Sequence, residues 1–298
     1  MPLVTLASDD LELTVDPDRG GSVVALYARR GGVPLMPDTR LPGAELGAAS
    51  FLMAPYSNRV ADGRFSFEGR AYELANAANH AIHGDVRKRP WRMLHSDAGL
   101  LRLAFASADH AGFNWPWPLS LEMTMAVDGP VFSTSVSLRN EGRAVMPAGM
   151  GLHPYFSRHL TREGEPVILA FSVAGVYPDA YGTRIPSGPP EPPGRLRDFS
   201  AARALDPACF FDFCAHGWVG EARIAWPESG VALRLTASEA LRHLVVYNPP
   251  KPWFAIEPVS NANDGFNLLA RGETTSGVRA LAPGEAMTAR AGLSLERG

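Results

Sequence analysis

The chain has almost no cysteine. Among 298 residues only Cys209 and Cys214 carry a thiol. Two neighbouring cysteines make neither a disulfide framework nor a zinc motif, so they are read as reduced thiols. An excess of positive charge is also missing. The net charge is −3, whereas a nucleic-acid footprint needs a basic face, so no nucleic-acid partner is expected. No window stays apolar long enough to span a bilayer, so no membrane association is expected. The opening MPLVTLASDDLELTVDP has no basic start followed by an apolar run, unlike a secretory signal. Together these absences point to the cytoplasm. Helical signals are scarce, and one of the few is Ser200, placed to cap a short helix over residues 201–205.

What the chain does have is apolar material. Hydrophobic residues make up 46% and charged residues 20%, which suits a soluble globular protein with a large core. The length allows two domains or one large all-β domain. No repeat, low-complexity tail or dividing linker is visible, so one domain over residues 1–298 is expected.

The hydrophobic pattern has a period of two. Residues 3–15 alternate as a first strand, Asp16 to Gly21 form a turn cluster, and Ser22 to Tyr27 form a second strand. Residues 37–50 are irregular. Leu101, Leu103 and Phe105 alternate with polar or small neighbours. So do Leu121, Met123, Met125 and Val127, and then Phe132, Thr134, Val136 and Leu138, with Asp128-Gly129-Pro130 as the hairpin turn between the last two sets. Val231, Leu233 and Leu235 repeat the pattern, and residues 278–296 hold a Pro283-Gly284 turn and a final strand. Repeated period-two segments with short turn-rich gaps mean antiparallel sheet. Trp115-Pro116-Trp117-Pro118 is too proline-rich for a central strand and reads as loop packing. Residues 186–194, PSGPPEPPG, exclude helix and sheet interior.

One stretch concentrates chemistry: Asn58 to Trp91. Phe65 and Phe67, then Tyr72 and Leu74, alternate with polar residues around Glu68-Gly69-Arg70, the signature of a hairpin. Asn58-Arg59 precedes this hairpin and Asn79 to Gly84 follows it, so both can reach one end of a sheet. Arg offers a planar fork of donors, and Asn offers a donor and an acceptor, which suits vicinal hydroxyls. The plain alternative is a surface arginine and a satisfied loop histidine.

Three more polar residues sit where strands end. His153 precedes Pro154, which pushes it to extended geometry and puts it on one face with Tyr155. Asp212 lies between Phe211 and Phe213, so its carboxylate must be paired or solvated. Glu257 precedes Pro258 behind apolar neighbours. Asn58, Arg59, His83, His153, Asp212 and Glu257 together supply a carboxylate base, two imidazoles and anchors for hydroxyl groups.

These motifs, in this order, resemble the aldose 1-epimerase (galactose mutarotase) family. The resemblance runs through RGGSVVALY, YSNRVADGRFSFEGRAYEL, NHAIHG, GLHPYF, FFDFCAHGW, WFAIEPVSNANDGFN and LAPGEAMTARAGLSLE, which span most of the chain. It implies an all-β fold, a large antiparallel β-sandwich (a galactose mutarotase-like supersandwich) with few short helices and an open cleft. It also implies a small sugar as substrate, with no metal and no organic cofactor. By position, Glu257 is the implied general base, His153 the general acid, and His83 an assistant at the ring oxygen. Arg59 and Asp212, with Asn58, hold hydroxyls. The chemistry is isomerase chemistry, interconversion of α and β anomers through ring opening. After His83-Gly84 the run Asp85 to Trp91 is closer to the branch with hexose-6-phosphate epimerases, so Arg87, Lys88 and Arg89 could bind a phosphate, the plain alternative being a solvated basic loop.

Two rival classes use the same residues. His83, His153 and Glu257 are a possible zinc-ligand set for a hydrolase, although they lack a local His-x-x-x-His pair. A non-catalytic carbohydrate-binding protein on this scaffold is the other rival. Oligomeric state is not legible.

Overall fold

The computed structural model describes residues 1–75, 77 and 80–297. Asn79, expected in the segment leading to His83, lies outside the described residues. The fold is built on two large, mostly antiparallel sheets with a shared core. The nine-stranded sheet runs in the order 92–96, 100–106, 119–128, 131–140, 286–297, 231–237, 221–226, 168–171 and 203–204. The seven-stranded sheet runs 175–176, 211–216, 243–248, 253–259, 151–152 and 52–53, with 155–157 also paired to 253–259. Met123, Phe132, Leu235 and Leu293 of the first sheet belong to one buried cluster with Leu244, Val246, Phe254 and Ile256 of the second. This is the packing of a β-sandwich, in which the inner faces interdigitate and the outer faces are free for other work.

The alternation read from sequence is the alternation observed. Leu121, Met123, Met125 and Val127 are buried, and Asp128 pairs with Val131 across the Gly129-Pro130 turn. The hairpin joins Arg64–Phe67 to Arg70–Glu73 through Glu68 and Gly69, at φ 47° and 74°. Both turn residues are left-handed, as a two-residue turn matching the strand twist requires. Trp115 and Trp117 are buried in a loop, where Trp115 stacks on Phe65 at 5.3 Å between ring centres.

Two expectations are corrected. Residues 3–15 are two strands, Val4–Ala7 and Leu11–Asp16, in a hairpin. The hydroxyl of Ser8 accepts from the Asp10 and Leu11 amides, so a Ser-Asp-Asp turn interrupts the run. No helix covers residues 201–205. Arg203–Ala204 instead pairs with Ile168–Leu169 at the sheet edge, where two ladder partners outweigh a weak capping signal. The one α-helix among the described residues is Gly265–Ala270, too short to show an apolar period. No helix among them is long and apolar enough to cross a membrane.

The outer face of the seven-stranded sheet follows from the ladder. Phe254 and Ile256 point to the shared core, so Ala255 and Glu257 point away. Asp212 stands opposite Tyr247, Tyr247 opposite Ala255, and Ala255 opposite Tyr155. In the next row Cys214 faces Val245 and Val245 faces Glu257. One end of this face is filled by a small apolar cluster of Phe51, Met53, Tyr177, Val245, Val259 and Leu268. The other end is a cleft.

Candidate functional site

The stretch that begins with Asn58 reaches the cleft through a small sheet of its own. Arg59–Ala61 pairs with His80–Ile82, with Arg59 opposite Ile82. That register sets Asn58 beside His83, and the His83 amide donates to the Asn58 carbonyl at 2.7 Å. Both residues are left-handed, at φ 49° and 66°. For a residue with a Cβ this conformation costs about 1–2 kcal/mol, and non-glycine examples concentrate where structure over-determines them. Gly84 provides the constraint. It bridges to Ala54, whose carbonyl also accepts from the Asp85 amide at 3.0 Å. A Cβ on Gly84 would stand 1.8 Å from that carbonyl oxygen, so only glycine fits after His83. The buried Asp264 anchors the other side. It accepts from the Ala61 amide at 2.9 Å and donates its own amide to the Arg59 carbonyl.

The sheet supplies the second half. Gly151 and Tyr155 both pair with the strand Trp253–Val259, but His153-Pro154 between them does not. Pro258 has no N–H to give, and it sits within this stretch of the strand, facing the interruption. The His153 amide turns instead to the Phe51 carbonyl at 3.0 Å. Glu257 therefore lies within a strand that continues to Val259, a correction to its expected place at a strand end.

His153 Nε2 and Glu257 Oε1 are 3.3 Å apart, with side chains 6% and 2% exposed. His83 meets His153 edge-on at 5.2 Å between ring centres. The Tyr155 hydroxyl is 3.5 Å from His153 Nε2. Across the cleft Arg184 Nε donates to Asp212 Oδ2 at 3.1 Å, and Arg59 Nη2 is 4.0 Å from the same oxygen. Arg59 also donates to Asn58 Oδ1 at 2.9 Å. Asp212 is thus paired, as its aromatic flanks required.

Burial sets the charge states. It pushes the Glu257 carboxyl well above the ordinary 4.5, with Asp212 adding to the rise and Arg59 opposing it. It pulls His153 down to about 3, helped by Arg87 and Arg59. His83 falls well below 6.5 for the same first reason, then through His153. Asp212 is raised by burial against the pull of Arg59 and Arg184. Both shifts favour a neutral carboxylic acid against a neutral imidazole in the cleft. Glu257 Oε2 and the Nδ1 atoms of both histidines are buried with no hydrogen-bond partner.

All six polar residues named from sequence line one cavity of about 270 Å³: Asn58, Arg59, His83, His153, Asp212 and Glu257. Arg184, Phe210 and Tyr247 line it too, and sequence reasoning missed them. Arg184 sits in a Pro/Gly-rich loop that carries no strand-end signal. The basic run does not join them. Arg89 clamps Asp85 at 2.5 and 3.0 Å and donates to the Gly112 carbonyl. Arg87 lies over the Phe51 ring at 4.9 Å, and Phe51 in turn packs on His153. Lys88 is exposed. The three line a separate cavity with Tyr56, Asp85 and Asn114, because Phe51 stands between this run and the histidines. Among the described residues no three His, Cys, Asp or Glu side chains group closely enough to hold a metal ion, and that includes the set weighed as zinc ligands.

With this geometry in hand, known proteins offer a comparison. The family model described as aldose 1-epimerase matches residues 2–294. An uncharacterized Escherichia coli (strain K12) protein, YphB, is 27% identical over 308 aligned positions, covering 99% of both chains. The crystal structure of an Escherichia coli K12 protein provisionally named an aldose 1-epimerase superposes with a TM-score of 0.84 at 24% identity, over 100% of this chain and 99% of that one. Galactose 1-epimerase from Lactobacillus acidophilus NCFM superposes with a TM-score of 0.76 at 17% identity, over 99% and 94%. At these identities the structural likeness establishes the galactose mutarotase-like fold.

Proposed function

Because the chain belongs to the aldose 1-epimerase family, we propose that it is a mutarotase that interconverts the anomers of a free aldose, with Glu257 and His153 as the proton-transfer pair. The observation that carries this is the 3.3 Å contact between His153 Nε2 and Glu257 Oε1 on the floor of a polar cleft. The two reacting oxygens of a cyclic aldose share one carbon, so an acid and a base must also stand side by side.

Opening the hemiacetal moves the C1 hydroxyl proton to a base, breaks the bond from C1 to the ring oxygen as the carbonyl forms, and delivers a proton to that oxygen. Glu257 takes the first proton and His153 gives the second. Rotation about C1–C2 and reclosure run both transfers backward, so the pair ends as it began. The resting pair holds one proton, on Glu257. Sugar hydroxyls donating to the unpartnered Glu257 Oε2 favour its ionised form, and the displaced proton crosses to His153. His83, held neutral, assists at the ring oxygen. Arg59, Asn58 and Asp212 grip hydroxyls remote from C1. General acid–base catalysis by such groups contributes about 10²–10⁴-fold.

A phosphorylated sugar fits less well. Arg87, Lys88 and Arg89 face another cavity, and Arg89 is spent on Asp85 and main-chain carbonyls. The test is anomer exchange by NMR with glucose, galactose, arabinose and glucose 6-phosphate, with Glu257→Gln as control. A free aldose should exchange faster with the protein, and the variant should lose at least about 100-fold. Exchange of the phosphorylated sugar alone would move the reading to a hexose-phosphate epimerase. No acceleration of any sugar would leave a carbohydrate-binding protein, and full activity in the variant would remove Glu257 as the base.

A further inference from the structure

Among the described residues Arg158 is the one arginine or lysine that is buried, at 3% exposure. It directly follows the strand Tyr155–Ser157. A buried charge is normally paired with its opposite, yet no carboxylate among the described residues bonds to Arg158. Its partners are neutral. Nε donates to the Lys251 carbonyl at 2.9 Å and Nη2 to Asn248 Oδ1 at 2.7 Å. Nη2 also reaches the Pro249 and Trp253 carbonyls at 3.3 and 3.4 Å. The guanidinium lies over the Phe254 ring at 5.3 Å, on the core face of the sheet.

The loop it touches accounts for the cation. Residues 249–252 are Pro-Pro-Lys-Pro. Three prolines leave this loop a single N–H, which Lys251 gives to the Pro249 carbonyl at 2.8 Å. The loop cannot bond its other carbonyls, and Arg158 does so instead, adding its main-chain amide to the Pro252 carbonyl at 2.9 Å. Asn248 extends the grip to a second loop. It is fully buried, and its Nδ2 donates to the Asp206 and Cys209 carbonyls at 2.8 and 2.6 Å. Because Oδ1 is fixed on Arg158, the amide has one orientation.

Both loops run into aromatic residues at the cleft. Cys209 leads into Phe210, and Pro252 leads into Trp253. The two rings bracket Tyr247, with centres 6.1 Å away on one side and 5.9 Å on the other. Trp253 also meets Tyr155 edge-on at 5.0 Å. Phe210, Tyr247 and Tyr155 line the cleft, whereas Arg158 and Asn248 do not. The proton-transfer pair is held by other means. The His153 amide bonds to the Phe51 carbonyl, and Glu257 sits in the ladder opposite Val245.

We propose that Arg158 and Asn248 are positioning residues for the sugar. From behind the sheet they hold the loops 205–210 and 249–252, and so keep Phe210, Tyr247 and Tyr155 at the spacing of one cleft wall. A wall ordered in advance costs no loop ordering when a sugar binds. The gain therefore falls on binding and not on the chemical step. This deepens the mutarotase reading and rests on it for what occupies the cleft.

The test is anomer-exchange kinetics at a temperature well below each thermal midpoint. Asn248→Asp keeps an acceptor for Arg158 and removes both donors to the loop 205–210. Arg158→Lys keeps the charge and loses the planar fork. Each should raise KM about fivefold or more for the free aldose that exchanges fastest, with kcat within about twofold of the parent. Glu165→Gln is the control, because it perturbs another buried charge, bonded to Leu160 and Ser229 and to neither loop. It should lower the thermal midpoint and leave KM unchanged. An unchanged KM in either folded variant, a fall in kcat at constant KM, or an equal rise of KM in the control overturns the proposal and leaves the mutarotase reading standing. If the parent accelerates no sugar, the mutarotase reading fails. The calorimetric Kd of the sugar that binds then replaces KM, and a rise in both variants but not the control upholds the proposal, while unchanged values overturn it.

Discussion

Glu257 and His153 link stability to pH in a way that a single substitution isolates. In the native cleft the pair holds one proton from about pH 3, where His153 titrates, up to the raised pKa of Glu257. In the unfolded chain the ordinary values are 4.5 for the carboxyl and 6.5 for the imidazole. Unfolded, the two groups bind two protons below 4.5, one between 4.5 and 6.5, and none above. Stability rises with pH where the unfolded state binds more protons, and falls where the native state does. The pair therefore leaves stability level from pH 4.5 to 6.5. It erodes stability as pH rises above 6.5, and as pH falls below 4.5 toward 3. Glu257→Gln removes the carboxyl alone. The difference in unfolding free energy, native protein minus variant, should fall by roughly 1 kcal/mol per pH unit above 4.5. Unfolding at pH 5.5 and at pH 7.5 reads this fall, which continues until the raised pKa of Glu257 is reached. Urea unfolding of both proteins at the two pH values measures it, provided the m-values agree. A difference that stays constant would refute the burial argument, because Glu257 would then carry its ordinary pKa.

Gly84→Ala should destabilise the fold by about 2–4 kcal/mol, since its Cβ meets the Ala54 carbonyl oxygen; a thermal midpoint equal to the parent's would count against the constraint on His83. Arg59→Ala should raise KM for a free aldose about tenfold or more, through loss of a hydroxyl grip, and steady-state kinetics showing an unchanged KM would remove Arg59 from the site. Lys88→Ala should leave exchange of glucose and of glucose 6-phosphate unchanged, because the side chain is exposed outside the cleft; selective loss with the phosphorylated sugar would restore the basic run to a phosphate site.

Most of the fold was legible because a period of two leaves little choice. Once Met123 and Leu293 must be buried, register decides which residues face out. Glu257 and Asp212 follow from the same logic, as polar residues on the outward parity of strands whose other face is core. The turn at Ser8 was hidden by the run of alternating residues on both sides of it. The helix at Gly265 is one and a half turns of residues that read equally well as loop. Its place is set by Asp264, which is tied to Arg59 and Ala61, some two hundred positions earlier in the chain. No local pattern carries such a tie.

Arg184 shows where sequence reasoning about a site runs out. Its loop is rich in proline and glycine, and composition says only that it is neither helix nor sheet interior. The loop matters through two partners it cannot announce, the Asp212 carboxylate and the Asn263 amide, which stand on other elements. Asp212 between two phenylalanines did announce that it must be paired or solvated, without saying by what. At 4.0 Å Arg59 is only a partial answer, whereas Arg184 Nε at 3.1 Å makes the hydrogen bond. Asp212 holds the Arg184 plane and Asn58 Oδ1 holds that of Arg59 before any sugar arrives. Donors fixed in this way lose less side-chain entropy on binding than free ones. An acid whose neighbours are all aromatic thus points to more than one cation, and the second is found in the loop that the sheet does not explain.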